Sequence, residues 1–142
     1  MFDREKSPFN KDVWVSPKHN SSDYHKALCL LDTGCFQTNI VSKQLIEKLG
    51  YTEADYEPLG ETESSGSTTL SGELITFDGV IRLSWHHNTS THRYHRMRFL
   101  VSSSTNCEMI IGVRSITKYH LLREMVLVTE PAAINVQAGK LN

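Results

Sequence analysis

Residues 30–35 combine side-chain types that could do acid–base chemistry. Asp32 follows an apolar run. A carboxylate at the end of a buried strand has little water around it, which disfavours its charged form unless something pairs with it. Thr33 supplies a hydroxyl that can bond to the backbone or to a partner chain. Gly34 has no side chain, so another backbone or a water molecule can come close. These are the parts needed to present an acid at a crowded, symmetric site.

An ordinary turn would also explain Asp32-Thr33-Gly34, because Asp and Gly are both common turn residues. The tripeptide by itself does not separate a turn from an acid site. The choice depends on the order and spacing of the elements before and after it.

A buried strand and a strand–helix unit flank the tripeptide. Residues 24–31 end in a short apolar run bounded by turn residues, which predicts a strand buried on both faces. After the tripeptide, Ile40 and Val41 form a second apolar patch. Ser42 can cap a helix, and Gly50 stands where that helix should end.

The rest of the chain has mostly the patterns of short strands. Residues 11–15 alternate, with Val13 and Val15 on one face. The polar, glycine-containing residues 61–72 predict a long hairpin, and Asp78-Gly79 predicts a tight turn. Further predicted strands are 74–77, 80–85, 93–101, 109–111 and 125–128, with turns at 86–91 and 102–106 and a short helix at 113–122. The pattern predicts an all-β domain, closed or sandwich-like, with one or two short helices.

In this order the motifs resemble the retropepsin-like family, the aspartic proteases of retroviruses, retrotransposons and related cellular proteins. The family pattern starts with a hydrophobic strand leading into Asp-Thr-Gly, here residues 27–34, and continues with an apolar pair, here Ile40-Val41. A helix ending in Leu-Gly often follows, here residues 45–50. A later hydrophobic-hydrophobic-Gly element, here residues 110–112, precedes a short helix. The resemblance covers residues 24–122.

Two places depart from the family pattern. Cys35 and Phe36 stand where an alanine or serine followed by an acidic residue is more common. Arg114 occupies a position that is often Asp or Asn. Neither departure touches Asp32.

The resemblance implies a retropepsin-like closed β-barrel, the acid protease fold, with one lobe per chain. It assigns the catalytic role to Asp32, Thr33 and Gly34, and it implies neither a metal nor a cofactor. A flap hairpin would close over the substrate, with residues 63–68 as the best candidate. The substrate-binding residues so implied are Ser64, Ser65, Gly66, Ser67, Thr68, Ile111 and Gly112. The family domain would span 21–123, after an N-terminal arm and strand at 1–20 and before a C-terminal strand and tail at 124–142.

Aspartic proteolysis requires two carboxylates that share one proton, because like charges so close cannot both ionise. Pepsin-like enzymes carry two such motifs in one chain. This chain has one, and 142 residues leave no room for a second lobe. The resemblance therefore implies a homodimer that pairs two copies of Asp32 and cleaves an extended polypeptide. The alternative is a catalytically silent module derived from a retroelement, serving dimerisation or peptide binding.

Charge, hydropathy and cysteine content give little support to several other classes of function. The net charge is −1, with 22% charged residues, which gives no reason to expect a nucleic-acid or membrane partner. No apolar run approaches the roughly 20 residues that span a bilayer, and the first ten residues do not have the pattern of a secretory signal. The three cysteines form no recognisable framework. They predict free thiols in a reducing, cytoplasmic compartment.

The histidines and the basic residues 92–98 allow two further interpretations. His92 and His95 could be metal ligands, but on a strand this spacing points them to opposite faces, which favours an exposed polar strand. The basic run could contact phosphate. Because apolar residues alternate within it, the solvated face of a strand is favoured.

Overall fold

The structure is a computed structural model that describes residues 9–19, 23–34, 36–68, 72–87 and 92–127. Eight strands lie within these residues. They are β1 (Asn10–Val15), β2 (His25–Leu31), β3 (Ile40–Ser42), β4 (Ser67–Thr68), β5 (Leu74–Ile75), β6 (Gly79–His87), β7 (Arg93–Ser102) and β8 (Met109–Ile111). The helical elements are α1 (Lys43–Lys48), a 3₁₀ turn (Glu53–Asp55), α2 (Val113–Lys118) and a π-helix (Leu122–Leu127).

Six of the strands form a closed barrel in the order β1-β2-β8-β3-β7-β6, and β4 and β5 form a separate two-stranded hairpin. This confirms the predicted all-β, closed-barrel architecture. Most neighbouring strands are antiparallel, but β2 runs parallel to β8, and β3 runs parallel to β7. Because β2 and β8 are parallel, their carboxyl ends, Leu31 and Ile111, lie side by side at one end of the barrel.

One face of each strand fills the interior of the barrel. Val13 and Val15 are fully buried and Trp14 is half-buried, as the predicted alternation requires. Helix α1 adds Leu45 and Ile46 to the same apolar core. Removing this apolar surface from water is the main force that holds the strands together.

Helix α1 begins and ends as its sequence predicts. The Ser42 hydroxyl accepts a hydrogen bond from the Leu45 N–H at 3.1 Å, which satisfies one of the free donors of the first turn. At the other end Gly50 has a φ of +92°, a left-handed conformation that favours glycine.

The predicted tight turn at Asp78-Gly79 is wrong. Strand β5 pairs with β4, not with β6, and Gly79 is the first residue of β6, opposite Val101. A Cβ on Gly79 would lie 2.7 Å from the Cβ of Tyr56. Glycine is therefore required at this position by close packing, a tertiary contact that the dipeptide does not encode.

The predicted strand at 125–128 is also wrong over its described part. Residues Leu122–Leu127 form a π-helix that buries Met125 in the barrel core. A short apolar run fits a buried helix as well as a strand, so its periodicity could not distinguish the two. Residue 128 and the predicted tail lie outside the described residues.

Two other predictions shift at their boundaries. His86 and His87, predicted to start a turn, continue β6, and residues 88–91 lie outside the described residues. The strand of the predicted N-terminal arm, β1, pairs with β2 and β6 and so closes the barrel. The division into arm, domain and tail otherwise stays a prediction.

No helix among the described residues has both the length and the apolar character that crossing a membrane requires.

Replacing Ser42 with alanine should lower the free energy of unfolding by about 1 kcal/mol, because the Leu45 N–H loses its capping acceptor. Urea denaturation at a fixed protein concentration measures the change. Ser103→Ala, at an exposed loop position, is the control. Equal stability of the two variants would contradict the capping role.

Candidate active site

Asp32 lies directly beyond the end of β2, beside the end of β8. Its N–H donates to the Ile111 carbonyl at 2.9 Å, which extends the parallel pairing by one residue. The Gly34 N–H donates to the Asp32 Oδ1 atom at 3.0 Å and so orients the carboxylate. Asp32 is half-buried, while Thr33 and Gly34 are exposed. A Cβ built on Gly34 would meet no atom of the described residues within 4 Å.

The segment after the tripeptide crosses closely over the end of β8. The Phe36 carbonyl accepts from the Val113 N–H at 3.0 Å, and the Gln37 carbonyl accepts from the Arg114 N–H at 3.3 Å. A Cβ on Gly112 would lie only 2.2 Å from the Thr38 carbonyl oxygen, so only glycine fits at this crossing. The hydrophobic-hydrophobic-Gly motif therefore positions the segment that carries Asp32.

Asn39 is a buried polar residue that the sequence interpretation missed. Only 5% of it is exposed. Its Oδ1 accepts from the Gly112 N–H, and its Nδ2 donates to the Arg98 carbonyl and to the Ser115 hydroxyl, each at 3.0 Å. This side chain thus joins β7, the Gly112 crossing and α2. The sequence feature that could have indicated this role is the position of Asn39, immediately before the buried pair Ile40-Val41.

The predicted flap is the hairpin β4–β5, and a separate turn at residues 61–65 precedes it. Ser67 pairs with Ile75 and Thr68 with Leu74. Gly66 has a φ of +83°, and a Cβ on it would lie 2.6 Å from the Ile75 carbonyl oxygen, so glycine is required there. Residues 69–71, the centre of the hairpin, lie outside the described residues.

Two predicted substrate-binding residues belong to the turn that precedes this hairpin. The Ser64 hydroxyl donates to the Gly60 carbonyl at 3.1 Å, and the Ser65 hydroxyl donates to the Thr62 carbonyl at 3.3 Å. Their hydroxyls are therefore used within the turn.

A second apolar cluster joins the hairpin to the Asp32 segment. It consists of four buried residues, Phe36, Ile40, Ile75 and Ile110. The hairpin contributes Ile75, and the segment after Asp32 contributes Phe36. Ile111, predicted to bind substrate, is instead fully buried in the main core of the barrel. Its carbonyl holds the Asp32 backbone, while a role of its side chain with substrate stays a prediction.

An ion pair fixes the turn before the hairpin to β7. Arg98 donates from Nη1 to Glu63 Oε2 at 2.7 Å and from Nη2 to Oε1 at 2.8 Å. The Glu63 Oε1 atom also accepts from the Gly60 N–H at 2.7 Å. The hydrogen bonds from Arg98 lower the pKa of the Glu63 carboxyl, against the opposing effect of burial. Two parallel hydrogen bonds to one carboxylate give this contact a defined geometry.

The cysteines and histidines of the described residues do not form a shared site. Cys29 is a free, fully buried thiol, and burial raises its pKa well above the usual value. Cys35 lies outside the described residues. Burial also lowers the pKa of His87, which faces the interior of the barrel. Within the described part of the chain, no three His, Cys, Asp or Glu side chains are grouped so that they could hold a metal ion.

Comparison with known proteins supports the fold. No protein-family model matches the sequence, and no curated protein matches it closely. The retroviral protease-like domain of Ddi1 from Leishmania major is similar in structure, with a TM-score of 0.54 and 12% identity over 79% of this chain and 77% of that chain. A retropepsin-like aspartic protease from Rickettsia conorii has a TM-score of 0.50 and 14% identity over 77% of this chain and 69% of that chain. At such identities the likeness shows the fold alone, and it confirms the predicted fold class.

Replacing Asn39 with alanine should lower the free energy of unfolding by roughly 2–4 kcal/mol, because it leaves two buried backbone groups without their partner. Chemical denaturation measures the loss. Ser115→Ala removes only one of the three hydrogen bonds and should cost about 1 kcal/mol or less. If Asn39→Ala were no more destabilising than Ser115→Ala, Asn39 would not hold the crossing.

Replacing Glu63 with glutamine should destabilise the protein at neutral pH but not in acid. The pKa of Glu63 is lowered from 4.5 in the folded state, so its ion pair stabilises the fold above pH 4.5. That contribution is lost as the pH falls through the lowered pKa. The stability difference between wild type and variant should therefore shrink from about pH 5 to about pH 3 in urea titrations.

Glu57→Gln is the matched control, since Glu57 also pairs with an arginine, Arg82, but is more exposed. Exposed ion pairs contribute little, so a smaller effect is expected. A pH-independent difference for Glu63→Gln would rule out the anchoring ion pair as its cause.

Proposed function

We propose that this chain, which has a retropepsin-like fold, is an aspartic endopeptidase whose two catalytic carboxylates are the Asp32 residues of a homodimer. The observation that carries the proposal is the position of Asp32. It lies at the carboxyl end of a buried strand, with its backbone bonded to Ile111 and its carboxylate oriented by the Gly34 N–H. No described residue lies within 4 Å of a Cβ built on Gly34, which supports close approach of a partner chain or a water molecule here.

Two carboxylates are needed because peptide hydrolysis requires a base and an acid at once. One carboxylate removes a proton from water, and the resulting hydroxide attacks the peptide carbonyl carbon. The other carboxyl group donates its proton to the carbonyl oxygen. The tetrahedral intermediate then collapses, the C–N bond breaks and the amine leaves with a proton. In the proposed homodimer the second carboxylate is the Asp32 of the other chain.

The surrounding residues support these roles. The exposed Thr33 can brace the pair through its hydroxyl. The hairpin β4–β5, joined to the Asp32 segment through Ile75, would close over an extended polypeptide. Of the predicted substrate-binding residues, Gly66, Ser67 and Thr68 belong to this hairpin. The free thiol of Cys29 supports a reducing compartment such as the cytoplasm as the place of this activity.

Asp32→Asn should reduce peptide cleavage by at least about 100-fold while the protein stays folded, because the amide cannot act as a base. Cleavage of a mixed peptide library at mildly acidic to neutral pH, with and without a statine-type inhibitor, measures the loss. Asp78→Asn, at an exposed carboxylate outside the site, should keep full activity. Full activity in Asp32→Asn would remove Asp32 from the mechanism, and inactivity of the wild type towards the library would favour the silent module.

Mixing the two proteins tests the dimer. If each active site needs two Asp32 residues, an equilibrated equal mixture of wild type and Asp32→Asn should keep about one quarter of the activity of wild type at the same total concentration. A monomeric enzyme would keep about one half. Sedimentation of the wild type shows whether the active species is a dimer.

A further inference from the structure

A row of aromatic and basic side chains crosses the outer face of the barrel. The strand register places Lys26 opposite Trp14, Trp14 opposite His86, and His86 opposite Arg93. Each of these four residues is next to a buried residue of its own strand, and the side chains therefore point outward; the buried neighbours are Val13, Ala27, Trp85 and Tyr94. Together with Tyr24 they are called here the aromatic–basic row. The row spans three strand spacings, about 14 Å.

Contacts within the row order its rings and its arginine. The His86 ring lies 6.1 Å from the Trp14 ring at an interplanar angle of 16°, and 4.8 Å from the Tyr24 ring, edge to face. The guanidinium of Arg93 lies 5.0 Å from the centre of the Tyr24 ring, and its Nη1 donates to the Tyr24 hydroxyl. All three rings are half-buried and so present part of their surface to solvent.

Within the described residues, Arg93 has no carboxylate partner, unlike two other arginines on the same pair of strands. Arg82 pairs with Glu57 at 2.9 Å, and Arg98 pairs with Glu63 at 2.7 Å. Arg93, in contrast, is held by Tyr24 and pairs with no carboxylate among the described residues.

Two carboxylates border the row. Asp12 lies 3.5 Å from Lys26, an exposed contact that is weak in water, and Asp23 precedes Tyr24 in the chain. Among the described residues, Lys26 at one end and Arg93, held by the neutral Tyr24, at the other give the row two cations.

We propose that the aromatic–basic row binds single-stranded nucleic acid. Proteins that bind single strands without sequence preference combine cations that follow the phosphates with aromatic rings on which bases stack, and the row offers both. An acidic peptide would satisfy the cations but would leave the rings without stacking partners. Lys26 precedes Asp32 by six residues, about 20 Å along a strand, so this surface is separate from the candidate active site.

This inference departs from the expectation of no nucleic-acid partner, which rested on the net charge of −1. The net charge averages over the whole chain. The strand register gathers onto one face residues from three separate parts of the sequence, as far apart as Trp14 and Arg93. Electrostatic attraction to phosphate depends on that local arrangement.

Fluorescence anisotropy with a labelled single-stranded oligouridylate of about 16 nucleotides tests the proposal. The wild type should bind at low salt and bind more weakly as salt rises. Arg93→Gln should reduce the slope of the logarithm of affinity against the logarithm of salt concentration by about 0.7, the contribution of one phosphate contact. Trp14→Ala should weaken binding about fivefold or more through loss of stacking.

Arg82→Gln is the matched control, because it removes the same charge from the same strands at a guanidinium already paired with Glu57. It should leave the affinity within about twofold of wild type. Thermal unfolding of each variant verifies its fold. If Trp14→Ala does not fold, Arg93→Gln and Lys26→Gln, both at exposed residues, decide the question.

Three results would overturn the proposal. The first is absence of binding at low salt. The second is an equal loss of affinity in Arg82→Gln and Arg93→Gln, which would indicate attraction without a defined site. The third is competition by polyglutamate as strong as that by unlabelled RNA, which would identify an acidic peptide as the partner.

Discussion

The close approach of two backbones at Gly112 is the constraint on which the candidate site depends. The segment after Asp32 passes so near the end of β8 that a single added carbon at Gly112 would lie 2.2 Å from the Thr38 carbonyl. The approach is possible because β2 and β8 are parallel and end side by side. It is secured by Asn39, whose side chain bonds the Gly112 N–H from within the core. A buried polar side chain with all its partners gives such a crossing one defined geometry.

The flap hairpin depends on two contacts of different physical character. Ile75 packs into the apolar cluster beside the Asp32 segment, and Glu63 forms a two-bond ion pair with Arg98 of β7. Apolar packing is insensitive to pH, whereas the ion pair requires an ionised carboxylate. Beyond these contacts Leu74, a large apolar residue of the hairpin, is 56% exposed. The base of the hairpin is therefore fixed, while an apolar surface remains for a substrate or a second chain.

The arginines on the outer face of the barrel have different partners in different regions of that face. On β6 and β7, Arg82 and Arg98 are paired with glutamates that come from the connection between the 3₁₀ turn and β4. That connection passes over one end of these strands, and Arg93 lies at the other end, beside Tyr24. In the described part of the chain, one region of the sheet thus has arginine–glutamate ion pairs, and another has an arginine held by an aromatic ring.

The sequence by itself determined the features that depend on near neighbours. The apolar run before Asp32, the Ser42 cap and the alternation around Trp14 each predicted the element that the structure contains, since capping and strand alternation act within a few residues. Only the tertiary structure decided which strands pair and in what register. The Asp78-Gly79 turn was wrong because the pairing partner of β5 is β4. The Asn39 bonds and the aromatic–basic row were not foreseen because they join residues far apart in the chain, and no local pattern encodes such contacts. The last strand was wrong for a different reason, since a short apolar run fits a buried helix as well as a strand.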